Sequence, residues 1–177
     1  TKNIIVDAKS GVTGAGRGLK LQNSFCECTE NMKAYKVATH RHTSEIEQEL
    51  SNVAGEEIMI SFTPHLIPQK RGILSTIYVN LNRKSSAEEL TEMYKEFYKD
   101  EFFVRVKEVG DLPETKHVAG SNFVDIGVCY DERLQRAVVV SSLDNIVKGA
   151  AGQAVQNMNL LFGLDEKTAL TNPGFYL

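Results

Sequence analysis

The sequence lacks any basic run. Its 20 lysines and arginines are scattered among 23 aspartates and glutamates, giving a net charge of −3. Nucleic-acid binding leaves a clustered basic footprint, so that class is set aside. No apolar stretch approaches the ~18 residues needed to cross a bilayer. The opening "TKNIIVDAKSG" has none of the charged, apolar and small-residue parts of a secretion signal. A cytoplasmic protein with no membrane partner is expected. Cysteine is scarce and odd in number: Cys26, Cys28 and Cys129. Cys26 and Cys28 are too close in sequence to suggest a disulfide framework, so reduced thiols are expected. Internal repeats, low-complexity tracts and linkers are also missing, and 177 residues suit one domain, 1–177.

What is present is a succession of short β-rich runs and three helical patterns. "NIIVDA" (Asn3–Ala8) reads as a buried strand. In "SGVTGAGRGLK" Gly11, Gly14, Gly16 and Gly18 crowd together, which suits a sharp turn or a close approach. Gly11 and Gly16 have P-loop spacing, but Arg17 and Gly18 stand where Lys and Ser/Thr are required. Leu19 stands where a dinucleotide fingerprint needs glycine. Both standard phosphate readings fail, leaving a turn or a nonstandard binding loop.

"AYKVATH" (Ala34–His40) reads as a strand leading to "RHTSEIEQEL". There Ser44 and Glu47 fit a capping box, and Ile46, Leu50 and Val53 mark a helix face. "EIMISFTPHLI" and "RGILSTIYVNL", joined by "PQK", read as an antiparallel pair. Leu90, Met93, Tyr94 and Phe97 form a core-facing stripe on a helix capped by Ser86 and Glu89. "FFVRVKEV", "NFVDIGVCY" and "RAVVVSSL" supply three more strands, the last two joined by "DERLQ". "DNIVKGAAGQAVQNMNLLFG" reads as a helix with Val147, Ala151, Val155, Met158 and Phe162 on one side. The expected fold is α+β, a mixed, largely antiparallel sheet with helices packed on one face.

The chemistry-bearing feature is "THRHTSEIEQEL". His40, Arg41 and His42 precede a helix start, where the dipole disfavours imidazolium and a neutral, basic histidine is favoured. Pairing Cys26 and Cys28 with His40 and His42 as zinc ligands is rejected. The cysteine spacing is short for a structural site, and i, i+2 side chains on a strand point to opposite faces. No metal is expected. No G-x-S-x-G elbow supports a serine hydrolase. Cys129, within a strand run, reads as core.

"DAKSGVTGAGR", "HRHTSEIEQEL", "SFTPHLIPQKRGIL", "GSNFVDIGV" and "DNIVKGAAGQAVQNMN", in that order, resemble the N-acetyl-gamma-glutamyl-phosphate reductase family over nearly the whole chain. "TNPGFYL" matches only loosely. The resemblance implies the C-terminal substrate-binding and oligomerisation domain of an NADPH-dependent enzyme of arginine biosynthesis, with a fold like that of the glyceraldehyde-3-phosphate dehydrogenase C-terminal domain. The family's N-terminal Rossmann domain and its N-P-G-C cysteine are not in this sequence, and Cys26 and Cys28 lie at the wrong place to replace that nucleophile.

By the same resemblance a histidine of this domain is the acid/base that serves the thiol, His42 first because it sits nearest the helix start and His40 second; Arg41 and Arg71 are candidate substrate contacts, Arg71 by a guanidinium fork at the strand start or else in a surface ion pair. Ser10 and Gly11 resemble family positions that line the NADPH site, and Asn145, Lys148 and Gly149, at the N-terminus of the last helix, are expected where the nicotinamide or phosphates meet this half. Residues 145–163 form a terminal helix that packs on the missing NADP-binding domain. The implied reaction turns an N-acetyl-glutamyl phosphate into the semialdehyde through a cysteine thioester. NADP(H) belongs to the complete enzyme and is not expected to bind this piece tightly. A homo-oligomer, dimer or tetramer, is expected through the sheet. The alternative is a free-standing, non-catalytic binding or oligomerisation module of the same fold.

Overall fold

A computed structural model describes residues 2–18 and 20–175; the last two residues of the loosely matching "TNPGFYL" lie outside this range. The chain runs through β1 (Lys2–Ser10), α1 (Phe25–Cys28), β2 (Lys33–Ala34), α2 (His42–Ala54), β3 (Ile60–Leu66), β4 (Ile73–Asn80) and α3 (Ala87–Phe97). It continues with β5 (Val104–Val106), β6 (Val124–Asp131), β7 (Arg136–Leu143) and α4 (Gly152–Leu161). The strands form one seven-stranded sheet in the order β2-β3-β1-β4-β7-β6-β5. β1 with β3 and β5 with β6 pair in parallel, and the other neighbours are antiparallel. The expected mixed, largely antiparallel sheet is what forms.

Strand alternation divides the sheet into two faces. Ile126, Val128, Ala137 and Val139 point to one face with Ile77 and Val79, and Leu90 and Tyr94 of α3 pack on them. Register carries the same face across β4 and β1 to Phe62 of β3, against which the His40 ring sits. On the opposite face the segment 111–117 crosses β6 and β7. A Cβ at Gly127 would lie 2.8 Å from Pro113 Cδ, and Ser142 Oγ donates to the Glu114 carbonyl at 3.3 Å. Beyond that segment, around β1 and β4, this face is more open, with Ile5 39 % exposed.

Several sequence expectations are corrected. The two runs joined by "PQK" are not a hairpin, because β1 lies between β3 and β4 and pairs with both. A central strand has two unsatisfied edges, and those backbone groups outweighed the short connection. The strand expected over 34–40 shrinks to Lys33–Ala34, after which Lys36 and Ala38 adopt positive φ and break the extension. The Ser44–Glu47 capping box does not form. α2 starts earlier, at His42; Ser44 Oγ donates back to the Arg41 carbonyl, and Glu47 Oε1 instead accepts from Ile60 N at 3.0 Å. The Ser86 cap does form, accepting from Glu89 N at 3.1 Å. Met93 and Phe97 are exposed, however, so only part of the expected α3 stripe is core. Cys129 is half-buried and lies on the face opposite the core cluster.

The last helix turns its polar side inward. Its buried residues are Gly152, Gln156 and Asn159, while Met158, Leu161 and Phe162 are exposed. Polar side chains face inward because each has a partner. Gln156 contacts Asn122, Lys148 and Glu166, and Asn159 Nδ2 donates to the Glu166 and Thr168 carbonyls. A satisfied polar group tolerates burial that an unpaired one does not.

Candidate functional site

The sequence-derived candidates fall into two places on the fold. One is the aromatic and imidazole cluster ahead of α2. The other is the strand-end edge, where β1 and β7 finish and β4 begins.

In the first, the turn that follows β2 brings His40 and His42 together on one side, with ring centroids 4.9 Å apart and nearly perpendicular. The strand argument against their meeting therefore fails, since neither lies on a strand. His40 also meets Tyr35 at 5.6 Å and Phe62 at 5.3 Å, both edge-on. The His42 amide donates to His40 Nδ1 at 3.3 Å, so in neutral His40 the proton sits on Nε2. His40 titrates below its ordinary value, chiefly because it is partly buried and further because of neighbouring positive charge from His42, Lys36 and Arg41. His42 and Arg41 are exposed.

A depressed histidine pKa fixes a pH prediction. The unfolded chain takes up the proton first, so the His40 contribution is intact above about 6.5 and is lost as pH falls below it. We expect the urea midpoint to fall between pH 7 and pH 5, and His40→Asn, which keeps an acceptor for the His42 amide, to flatten that decline. An unchanged slope in His40→Asn would contradict it.

At the strand-end edge, the glycine-rich loop packs backbone against backbone. Gly11 N donates to the Gly72 carbonyl and Val12 N to the Gln69 carbonyl, both at 2.9 Å. A Cβ at Gly11 would lie 2.8 Å from the Lys70 carbonyl oxygen, so no side chain fits. The close approach that this glycine permits is made by residues 69–72 of the same chain. Ser10 Oγ lies at the mouth of this loop and donates to the Gly11 carbonyl at 3.2 Å.

Asn145, buried, ties the edge together. Its Oδ1 accepts from Gly72 N at 2.8 Å, and its Nδ2 donates to Thr13 Oγ1 at 3.1 Å and to the Gly11 carbonyl at 3.4 Å. Asn145 therefore shapes the loop that carries Ser10 and Gly11. After it the backbone widens into a π turn, Val147–Ala151, in which Gly149 N bonds to the Asp144 carbonyl and Ala151 N to that of Ile146. Such turns recur at functional sites. Lys148 Nζ donates to Gln156 Oε1 at 2.7 Å and lies 5.3 Å from the centre of the Phe103 ring. Burial pushes the Lys148 ammonium below its ordinary value, against the opposing pull of Glu166 and Glu101. Gly149 is exposed.

Arg71, just before β4, donates from Nη1 to Asp144 Oδ2 at 3.3 Å. Asp144 was not among the sequence candidates, yet it is fully buried and accepts from the Gly120, Ile146 and Val147 amides. Burial raises its pKa, but those amides and Arg71 outweigh it and hold the carboxyl below its ordinary value. An aspartate directly ahead of a helical pattern is a legible capping signal. Its partnership with Arg71 is not, since 73 residues separate them. Leu66, at the strand-end edge, and Phe62, beside His40, are separated along β3 by about 13 Å at the usual rise per residue. Among the described residues no direct contact joins the histidines to Arg71 or the glycine loop.

The semialdehyde dehydrogenase dimerisation domain model matches residues 1–145. The chain belongs to that family. As a semialdehyde dehydrogenase dimerisation domain it is 66 % identical, over all of its 177 residues, to an N-acetyl-gamma-glutamyl-phosphate reductase of Acetivibrio thermocellus. It is 57 % identical over 176 residues to one from Pelotomaculum thermopropionicum. The chain spans about half the length of these relatives, 51 % of each. A crystal structure of aspartate semialdehyde dehydrogenase II from Vibrio cholerae superposes with a TM-score of 0.70 at 19 % identity, covering 92 % of this chain and 55 % of that one. That likeness shows the fold of the domain. No helix among the described residues is long and apolar enough to cross a membrane.

Proposed function

We propose that this domain is the substrate-binding and oligomerisation half of a reductase that converts N-acetyl-glutamyl 5-phosphate to N-acetylglutamate 5-semialdehyde and phosphate, in the arginine biosynthesis of the cytoplasm. The observation that carries the reading is the similarity, along the entire chain, to proteins named for that activity. A cysteine of the companion domain attacks the acyl carbon and phosphate leaves. The resulting thioester is reduced to a hemithioacetal, which collapses to aldehyde and free thiolate. The hydride would come from NADPH when the companion Rossmann domain holds it.

This chain's part is proton management and anion binding. His42 takes the thiol proton and later exchanges one with the hemithioacetal oxygen. Its exposed ring is open to a partner surface, while His40 is held neutral beside it. Arg71 offers a guanidinium fork to the substrate's phosphate or carboxylate, and Arg41 a second positive charge near the histidines. Ser10, Gly11, Asn145, Lys148 and Gly149 form the edge that meets the cofactor. Residues 145–163 turn the exposed apolar side chains of Met158, Leu161 and Phe162 toward the companion domain. Self-association uses the sheet face opposite the helices, where Ile5, Tyr78 and Val138 share a register row and are half-buried or exposed; the family's description as a dimerisation domain supports this.

The test compares the purified chain with the complete two-domain protein. We expect phosphate-dependent NADP⁺ reduction with N-acetylglutamate semialdehyde from the complete protein and none from this chain alone. Turnover by the isolated chain would refute the need for an external cysteine. Inactivity of the complete protein would refute the reaction.

A further inference from the structure

Arg71 stands between two groups distant in sequence. On one side is Asp144, whose Oδ1 accepts from the Ile146 amide at 2.7 Å and the Val147 amide at 3.0 Å. Its Oδ2 accepts from the Gly120 amide at 2.7 Å and from Arg71 Nη1 at 3.3 Å. On the other side is Phe175, whose ring centre lies 5.8 Å from the Arg71 guanidinium carbon. The tail carrying Phe175 is anchored, because its amide donates to the Ala119 carbonyl at 2.7 Å. Gly120 (φ +77) makes room for it: the Phe175 ring occupies the space that a Cβ at position 120 would need.

The charges decide what this arrangement does. Asp144 already has three backbone donors, so its negative charge is dispersed among them and only one arginine nitrogen is engaged. Nε and Nη2 have no protein hydrogen bond among the described residues, and the Arg71 side chain is 39 % exposed. A guanidinium gripped at one nitrogen and flanked by an aromatic ring loses rotamer freedom while keeping donors and positive charge for an incoming oxyanion. The backbone is fixed too, since Gly72 N is bonded to Asn145.

We propose that Asp144 and Phe175 form a two-sided clamp that positions Arg71 as the receptor for an oxyanion of the substrate, its phosphate or its carboxylate. This rests on the assignment of Arg71 to substrate made above. Asp144 and Phe175 are positioning residues, acting through Arg71.

The complete reductase is assayed in the phosphate-consuming direction, with KM measured separately for inorganic phosphate and for N-acetylglutamate semialdehyde. Asp144→Asn is expected to raise one of these by about tenfold, the usual worth of a charge-assisted hydrogen bond, with a much smaller change in kcat. The affected KM identifies the anion: phosphate, or the semialdehyde's carboxylate. Phe175→Ala should raise the same KM by about two- to fivefold, and Phe175→Tyr should restore it. In an Arg71→Gln background neither substitution should raise KM further. The clamp is overturned if Asp144→Asn and Phe175→Ala alter melting or kcat while both KM values stay at wild type, or if their effects persist undiminished without Arg71. Should Asp144→Asn fail to fold, the Phe175 pair decides, because that side chain is two-thirds exposed (67 %). If Arg71→Gln itself leaves both KM values unchanged, the assignment of Arg71 to substrate falls first.

Discussion

In the complete reductase, His42→Ala is expected to lower kcat by roughly 10²–10⁴, the usual contribution of a positioned general acid/base. Stability should change little, because the side chain is exposed and substitutions at such positions usually stay within about 0.5 kcal/mol. The effect should fall on kcat more than on KM, since the proton is in transit only in the transition state. His40 provides the contrast. Its Nδ1 is occupied by the His42 amide, and its ring is wedged among Tyr35, Phe62 and His42. His40→Ala should therefore cost stability and disturb the aim of His42 while lowering kcat less. The two assays to run are steady-state kinetics and thermal melting. Equal kcat in wild type and His42→Ala, with a large drop in His40→Ala, would transfer the acid/base role to His40.

The largest stability effect is expected from Phe103→Ala. Phe103 is 2 % exposed, meets Phe102 at 5.1 Å and Phe123 at 5.6 Å, and lies beneath the Lys148 ammonium. Truncating a buried phenylalanine costs about 3–5 kcal/mol through lost transfer energy and the cavity left behind. For a domain of this size that is a fall of roughly 6–20 °C in Tm. Phe102→Ala is the control, since Phe102 is 44 % exposed and should cost much less. Calorimetry on both variants checks the ordering, and a Phe103→Ala melt within a degree or two of wild type would show that the site collapses without loss. The same substitution removes the ring beneath Lys148, so the helix start that bears Lys148 and Gly149 should loosen with it.

Local patterns hold wherever one element satisfies itself. The "DERLQ" turn gives the β6–β7 hairpin, and Ser86 caps α3 as its spacing requires. Patterns that depended on a distant neighbour misled. "PQK" resembles a hairpin bend, but β1 enters between the two strands. Nothing in the period of the last helix marks Gln156 and Asn159 for burial, yet they face inward because Asn122, Lys148, Glu166 and Thr168 supply hydrogen bonds that no period of 3.6 reveals. Ser44 and Glu47 have the spacing of a capping box, but Glu47 found a better partner in the Ile60 amide.

The candidate site divides in the same way. The sequence by itself determined the family, the mixed sheet, the absence of both standard phosphate loops, and the placing of two histidines at a helix start. Those rest on residue identity and short-range spacing, which the linear order preserves. Only the tertiary structure decided that His40 and His42 meet ring to ring, that Gly11 is a glycine because residues 69–72 press against it, and that Asp144 and Phe175 close on Arg71. Each of these is a contact between segments brought together by strand order. Strand order is settled by which backbone edges and side-chain donors satisfy one another across the whole sheet, a global balance that no local window of sequence contains.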